Sequence, residues 1–106
     1  MKPLTADDAE QTIEVTTGEE IVVTLEENPT TGYQWIVDEL VGHLTSVSSE
    51  FAAPGTQRPG AGGHRAIVLR ATGSGPAELR VRYARPWGGE TSDARRLRFR
   101  FVVKPA

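Results

Sequence analysis

Few side chains in this chain could do chemistry: among its 106 residues there is no cysteine, and the only histidines are His43 and His64. Without Cys there is no disulfide framework, no thiolate metal site and no cysteine nucleophile. The two histidines fall in separate loops of the pattern, which supports neither a metal centre nor a Ser/His/Asp arrangement. Glu26 and Glu27 are adjacent carboxylates, but neighbours on a strand point to opposite faces, and both read as solvated charges at a rim. The run Gly60-Ala61-Gly62-Gly63 lacks the Gly-Lys-Ser/Thr and the helix that a phosphate loop requires. Arg80, Arg82, Arg96, Arg98 and Arg100 alternate along the chain and read as a solvated strand face. Catalysis is therefore not expected, nor any metal or cofactor, and the remaining candidates are residues of recognition.

Those candidates lie in three segments of unusual composition. The first is Asn28-Pro29-Thr30-Thr31-Gly32-Tyr33. Pro29 fixes its own φ and pushes Asn28 away from helical geometry, Gly32 can take positive φ, and the two threonines are stiff about their first torsion. This predicts a rigid loop with Thr30 and Thr31 at its tip. The second runs from Ala52 to His64 and contains Gly60, Ala61, Gly62 and Gly63; loops of about a dozen residues usually carry function or lack order. The third, Arg85-Pro86-Trp87-Gly88-Gly89, places a Trp in a glycine-rich loop, and exposed Trp and Arg are the types that most often carry binding energy.

The elements that must position these loops are strands. Leu79, Val81 and Tyr83 form one apolar row, and Leu97, Phe99, Phe101 and Val103 form another, each alternating with arginine or other polar residues. Weaker alternation covers 12–16, 20–26, 33–39, 45–51 and 65–71. No window sustains a helical period, and 11 Gly and 7 Pro interrupt the chain too often for long helices. About seven short antiparallel strands in two sheets predict an all-β, immunoglobulin-like sandwich with Trp35 as its central core aromatic. Residues 1–10 read as a flexible N-terminal segment with room for a short helix near 5–11, and residues 11–106 as a single domain. In a sandwich whose connections alternate ends, the three unusual loops emerge together, and a common surface for one partner follows.

Asn28-Pro29-Thr30-Thr31-Gly32-Tyr33, Gly60-Ala61-Gly62-Gly63 and Arg85-Pro86-Trp87, in that order and spacing, closely resemble the chagasin family of cysteine peptidase inhibitors, over about residues 11–103. The resemblance implies an immunoglobulin-like domain that reversibly inhibits papain-like (clan CA) cysteine peptidases, with three loops wedged across the active-site cleft. Thr30 and Thr31 would sit over the catalytic cysteine and histidine. The Gly60 to Gly63 loop would follow the non-primed subsites, and Trp87 would stack on the primed side with Arg85 in polar contact. The sequence departs from the family pattern at Arg58-Pro59, where relatives commonly carry apolar residues, and at His64. The alternative is a non-inhibitory adhesion or carbohydrate-binding module using the same loops.

Charge is distributed unevenly. Residues 1–57 hold one basic residue, Lys2, and eleven acidic ones, while residues 58–106 hold eleven basic and three acidic, so the halves sum to −10 and +8. An overall charge of −2 argues against a nucleic-acid partner. Pairing of the arginine rows with acidic side chains of the first half, such as Glu14 or Asp38, is expected on the outer face, because like charges on neighbouring strands repel. No apolar run approaches the ~20 residues of a membrane span, so no membrane partner is expected. The first residues carry no export signal, which predicts a cytoplasmic protein or a mature exported form, and a monomer.

Overall fold

The period-two rows become strands in the computed structural model, which describes residues 1–52, 63–85 and 95–106. The strands are β1 (Lys2–Leu4), β2 (Thr12–Thr16), β3 (Glu20–Glu27), β4 (Gln34–Val41), β5 (Leu44–Ala52), β6 (Gly63–Ala71), β7 (Gly75–Ala84) and β8 (Arg95–Lys104). They form two four-stranded sheets in the orders β1-β3-β6-β5 and β2-β8-β7-β4. Inward residues alternate with outward ones and meet between the sheets. Ile21 and Val23 of β3, Ile67 and Leu69 of β6, Leu79 of β7 and Phe99 of β8 are all fully buried.

Two features differ from the expected seven antiparallel strands. Among the described residues there are eight strands, and two of their pairings are parallel, β1 with β3 and β2 with β8. Alternation reveals which face of a strand is buried, but it does not encode the direction of the neighbour. The extra strand lies in the segment expected to be flexible: Leu4 is 4% exposed and anchors β1 in the core. Pro3 is tolerated because β1 is an edge strand. A 3-10 turn, Ala6–Asp8, follows, where the Thr5 hydroxyl accepts from the Asp7 N–H and the Thr5 N–H donates to Asp8.

The outer face of β7 and β8 brings Arg80 opposite Arg98 and Arg82 opposite Arg96. Carboxylates separate them. Arg80 contacts Glu78 and Glu39, Arg82 and Arg96 both face Asp38 at 3.7 and 3.9 Å, and Arg98 meets Glu10 at 3.0 Å. The hydrogen bond and the charge of Glu78 raise the pKa of Arg80 above its ordinary value. Asp38 is thus the expected counter-charge, while Glu14 pairs with Lys104 instead of an arginine. Asp38 reaches both arginines from a register shift in β4 between Val37 and Glu39. Most of these pairs join the acidic half of the chain to the basic half, so the asymmetry is neutralised inside the fold.

Register also fixes where the loops begin. Glu27 pairs with Gly63 and Ala52 with His64 in one sheet, and Gln34 pairs with Ala84 and Tyr83 with Arg95 in the other. The strand ends flanking 28–33, 53–62 and 86–94 therefore lie at one end of the sandwich.

Candidate functional site

The loop between β3 and β4 is built around Asn28. Its side-chain Oδ1 accepts from the Thr30 N–H at 3.1 Å and the Thr30 hydroxyl at 2.7 Å. Its backbone carbonyl accepts from the Thr31 hydroxyl at 2.8 Å and the Thr31 N–H at 3.3 Å. The chain turns through one 3-10 turn, Pro29–Thr31, and leaves it at Gly32 with φ 82°. That angle is strained for any residue with a Cβ and free for glycine. The Tyr33 N–H returns to the Thr31 hydroxyl oxygen at 3.3 Å. Thr30 and Thr31 are exposed at the tip, as the sequence predicts, with both hydroxyl hydrogens donated inward.

Two residues of β7 and its exit hold this turn. The Tyr83 hydroxyl accepts from the Asn28 N–H at 3.1 Å, and its ring lies between Tyr33, 5.4 Å away, and Trp35, 4.8 Å away. The Arg85 guanidinium sits 4.7 Å from the centre of the Tyr33 ring and donates to the Thr31 carbonyl at 3.3 Å. Arg95, at the start of β8, lies over Trp35. The result is a continuous series of stacked rings and guanidinium groups beneath the loop. Trp35 is buried as expected, but at the loop end of β4, and its indole N–H donates to the Glu26 carbonyl at 2.8 Å.

Sequence reasoning misplaced Glu27. It is 4% exposed, accepts from the Trp35 N–H at 2.7 Å, and takes two hydrogen bonds from Arg65 at 2.8 and 3.0 Å. The signal was present in the phase of the strand: Glu27 continues the inward row Ile21, Val23, Leu25, and Arg65 lies in phase with Ile67 and Leu69. Two opposite charges in inward phase on neighbouring strands predict a buried pair. Because β3 and β4 belong to different sheets, this carboxylate also ties the sheets together at the base of the loop.

Gly63 is likewise not a loop residue. It is buried as the first residue of β6, where a Cβ would collide with the Ala52 carbonyl oxygen and come within 2.7 Å of the Phe51 ring. His64 is exposed, on a strand and not in a loop. Gly60, Ala61, Gly62, Pro86 and Trp87 lie outside the described residues. Of the expected site, the structure brings together Asn28 to Tyr33 and Arg85, with Gly63 beside Glu27 at the neighbouring strand end. A cleft between the sheets, lined by Asn28, Trp35, His64, Tyr83 and Arg95, opens at this end. Among the described residues no group of three or more His, Asp or Glu is gathered to hold a metal ion.

Comparison with known proteins gives the same pattern. Residues 14–103 match the family described as chagasin family peptidase inhibitor I42. Amoebiasin-1 of Entamoeba histolytica is 36% identical over 92 residues, covering 85% of this chain and 88% of its own. Chagasin of Trypanosoma cruzi is 28% identical over 91 residues, covering 81% and 83%. The crystal structure of a cysteine protease inhibitor of Entamoeba histolytica superposes with a TM-score of 0.85 at 23% identity, over 97% of this chain and 95% of that one, and shares the fold. With the match running through the turn at Asn28, its supports at Tyr83 and Arg85, and both sheets between them, the chain belongs to the chagasin family of peptidase inhibitors.

Proposed function

We propose that this chain reversibly inhibits papain-like cysteine peptidases by seating the Asn28–Tyr33 turn in the active-site cleft, flanked by the 60–63 segment and the loop carrying Trp87. The chain is an inhibitor and not an enzyme, in keeping with its family. The observation that supports this placement is the turn itself: a narrow, internally bonded tip with Thr30 and Thr31 outermost, at the end where the two other connections start. A papain-type site is a cleft holding a thiolate and an imidazolium. An exposed tip whose hydroxyl hydrogens are already donated inward offers oxygen lone pairs to a cationic imidazolium. A tip that is ordered before binding loses little conformational entropy on entering the cleft, which favours affinity. An interface near the standard ~1,600 Å² in total is expected for such a wedge.

The relatives give no support to an adhesion or carbohydrate-binding module. Titration against a panel of papain-like peptidases tests the proposal. Competitive inhibition that reverses on dilution is the expected result, and unchanged peptidase activity at micromolar concentrations of this protein would sink it.

A further inference from the structure

A peptidase that binds an exposed peptide has the option of cutting it. To be cut, the segment must lie extended in the cleft, and a carbonyl oxygen must enter the enzyme's oxyanion hole. The thiolate then adds to that carbonyl carbon, the amine leaves with the imidazolium proton, and water releases the acyl group. The Asn28–Tyr33 turn withholds two of its carbonyl oxygens. That of Asn28 is engaged by the Thr31 N–H and hydroxyl, and that of Thr31 by Arg85. The backbone at Pro29–Thr31 is a 3-10 turn and not a strand.

Resting on the inhibitory reading above, we propose that Tyr83 and Arg85 form a latch that keeps this loop in a shape its target peptidase cannot hydrolyse. Tyr83 grips the entry of the loop through the Asn28 N–H, and Arg85 grips the exit through the Thr31 carbonyl and the face of Tyr33. The two are separated by Ala84 alone, which is fully buried, so both grips are fixed to one rigid strand end. Opening the loop toward an extended strand requires both to be released, with the Tyr83 hydroxyl and the Asn28 N–H separated. The resemblance places Arg85 in polar contact with the peptidase; the geometry makes it first a positioning residue for the tip.

The test compares wild type with Tyr83→Phe, Arg85→Ala and Arg85→Lys, each incubated with an equimolar papain-like peptidase and followed by mass spectrometry and residual inhibition. Wild type should remain intact. Tyr83→Phe keeps the stacked ring and loses one hydrogen bond, so cleavage within 28–33 should rise roughly fivefold, with the melting temperature lowered by about 5 °C. Arg85→Ala should be cut at the same place, and Arg85→Lys should recover part of the resistance. Variants that stay intact and inhibit as the wild type does overturn the latch, as do cuts confined to other segments. Amide exchange of the free proteins separates this from the inhibitory reading: even if wild type inhibits nothing, Tyr83→Phe should speed exchange at Asn28 and Thr31 severalfold, and unchanged exchange there refutes the latch.

Discussion

Replacing Glu27 by Ala should be among the most damaging single substitutions outside the aliphatic core. The Glu27 side chain is 2% exposed and that of its partner Arg65 15%. Truncation leaves the Arg65 guanidinium without its counter-charge and the Trp35 N–H without its acceptor. Removing one partner of a buried ion pair costs about 3–5 kcal/mol. Arg65 keeps some contact with water and a 3.1 Å hydrogen bond to Ser49, which moves the expected loss to the lower end. A loss of about 3 kcal/mol from a domain of this size lowers the melting temperature on the order of 15 °C. Urea unfolding with an unchanged slope is the appropriate assay, since it separates a loss of stability from a change in the unfolded state. The companion Glu27→Leu/Arg65→Met removes both charges and keeps the volume, and exchanges of this kind are often neutral or better. It should recover most of the loss, retaining a deficit of about 1 kcal/mol or more for the orphaned Trp35 N–H. A loss below about 1 kcal/mol for Glu27→Ala, or a double variant no more stable than the single one, would refute the buried-pair account.

Gly63→Ala should destabilise by about 1–3 kcal/mol through overpacking against Phe51 and the Ala52 carbonyl, measured by thermal or urea unfolding. Gly32→Ala forces a Cβ into positive φ and should cost about 1–2 kcal/mol, read as lower stability together with weaker inhibition because the strain lies in the tip. Trp87→Ala should weaken inhibition of a papain-like peptidase by about 2 kcal/mol, roughly thirtyfold in Ki, if the side chain is a binding hot spot; equal inhibition removes Trp87 from the interface.

Alternation in the sequence reveals faces, and so the sandwich, its core rows and the common end of the loops were all legible. Leu79, Val81, Phe99 and Phe101 point inward as their spacing demands. The shape of Asn28 to Tyr33 was legible because Pro29 and the paired Thr restrict the chain locally while Gly32 permits the positive φ at which it leaves the turn. Partner geometry was not. That Asn28 organises the turn with both its side chain and its carbonyl depends on where Thr30 and Thr31 fall in three dimensions. The strand Lys2–Leu4 was missed because three residues are too few to display a period, and only its pairing to β3 identifies it. Glu27 reads as a solvated charge only if both neighbours are taken as outward, whereas opposite facing of Glu26 and Glu27 puts one of them inward, and the inward row of β3 passes through Glu27.

The inward rows of three strands change character toward the same end of the sandwich. In β3 the row passes from Leu25 to Glu27, in β6 from Ile67 to Arg65, and in β7 from Val81 to Tyr83. Glu27 and Tyr83 are the last inward positions of their strands, and Arg65, opposite Leu25, is followed toward the loop end by Gly63 alone, while the rest of each row is aliphatic. A loop of fixed shape leaves backbone N–H groups near the core that no strand partner can satisfy, and an aliphatic side chain there would leave them bare. Glu27 satisfies the N–H of Trp35 just after the loop, and Tyr83 satisfies that of Asn28 at its start. Displacing the loop would take the Trp35 N–H from the Glu27 carboxylate, which Arg65 still holds, or take the part-buried Asn28 N–H from the Tyr83 hydroxyl, at a cost of about 1–3 kcal/mol for each such group. The same groups that hold the two sheets together at this end therefore also limit the conformations open to the 28–33 turn, so its shape is set by the core rows and not by the loop sequence alone.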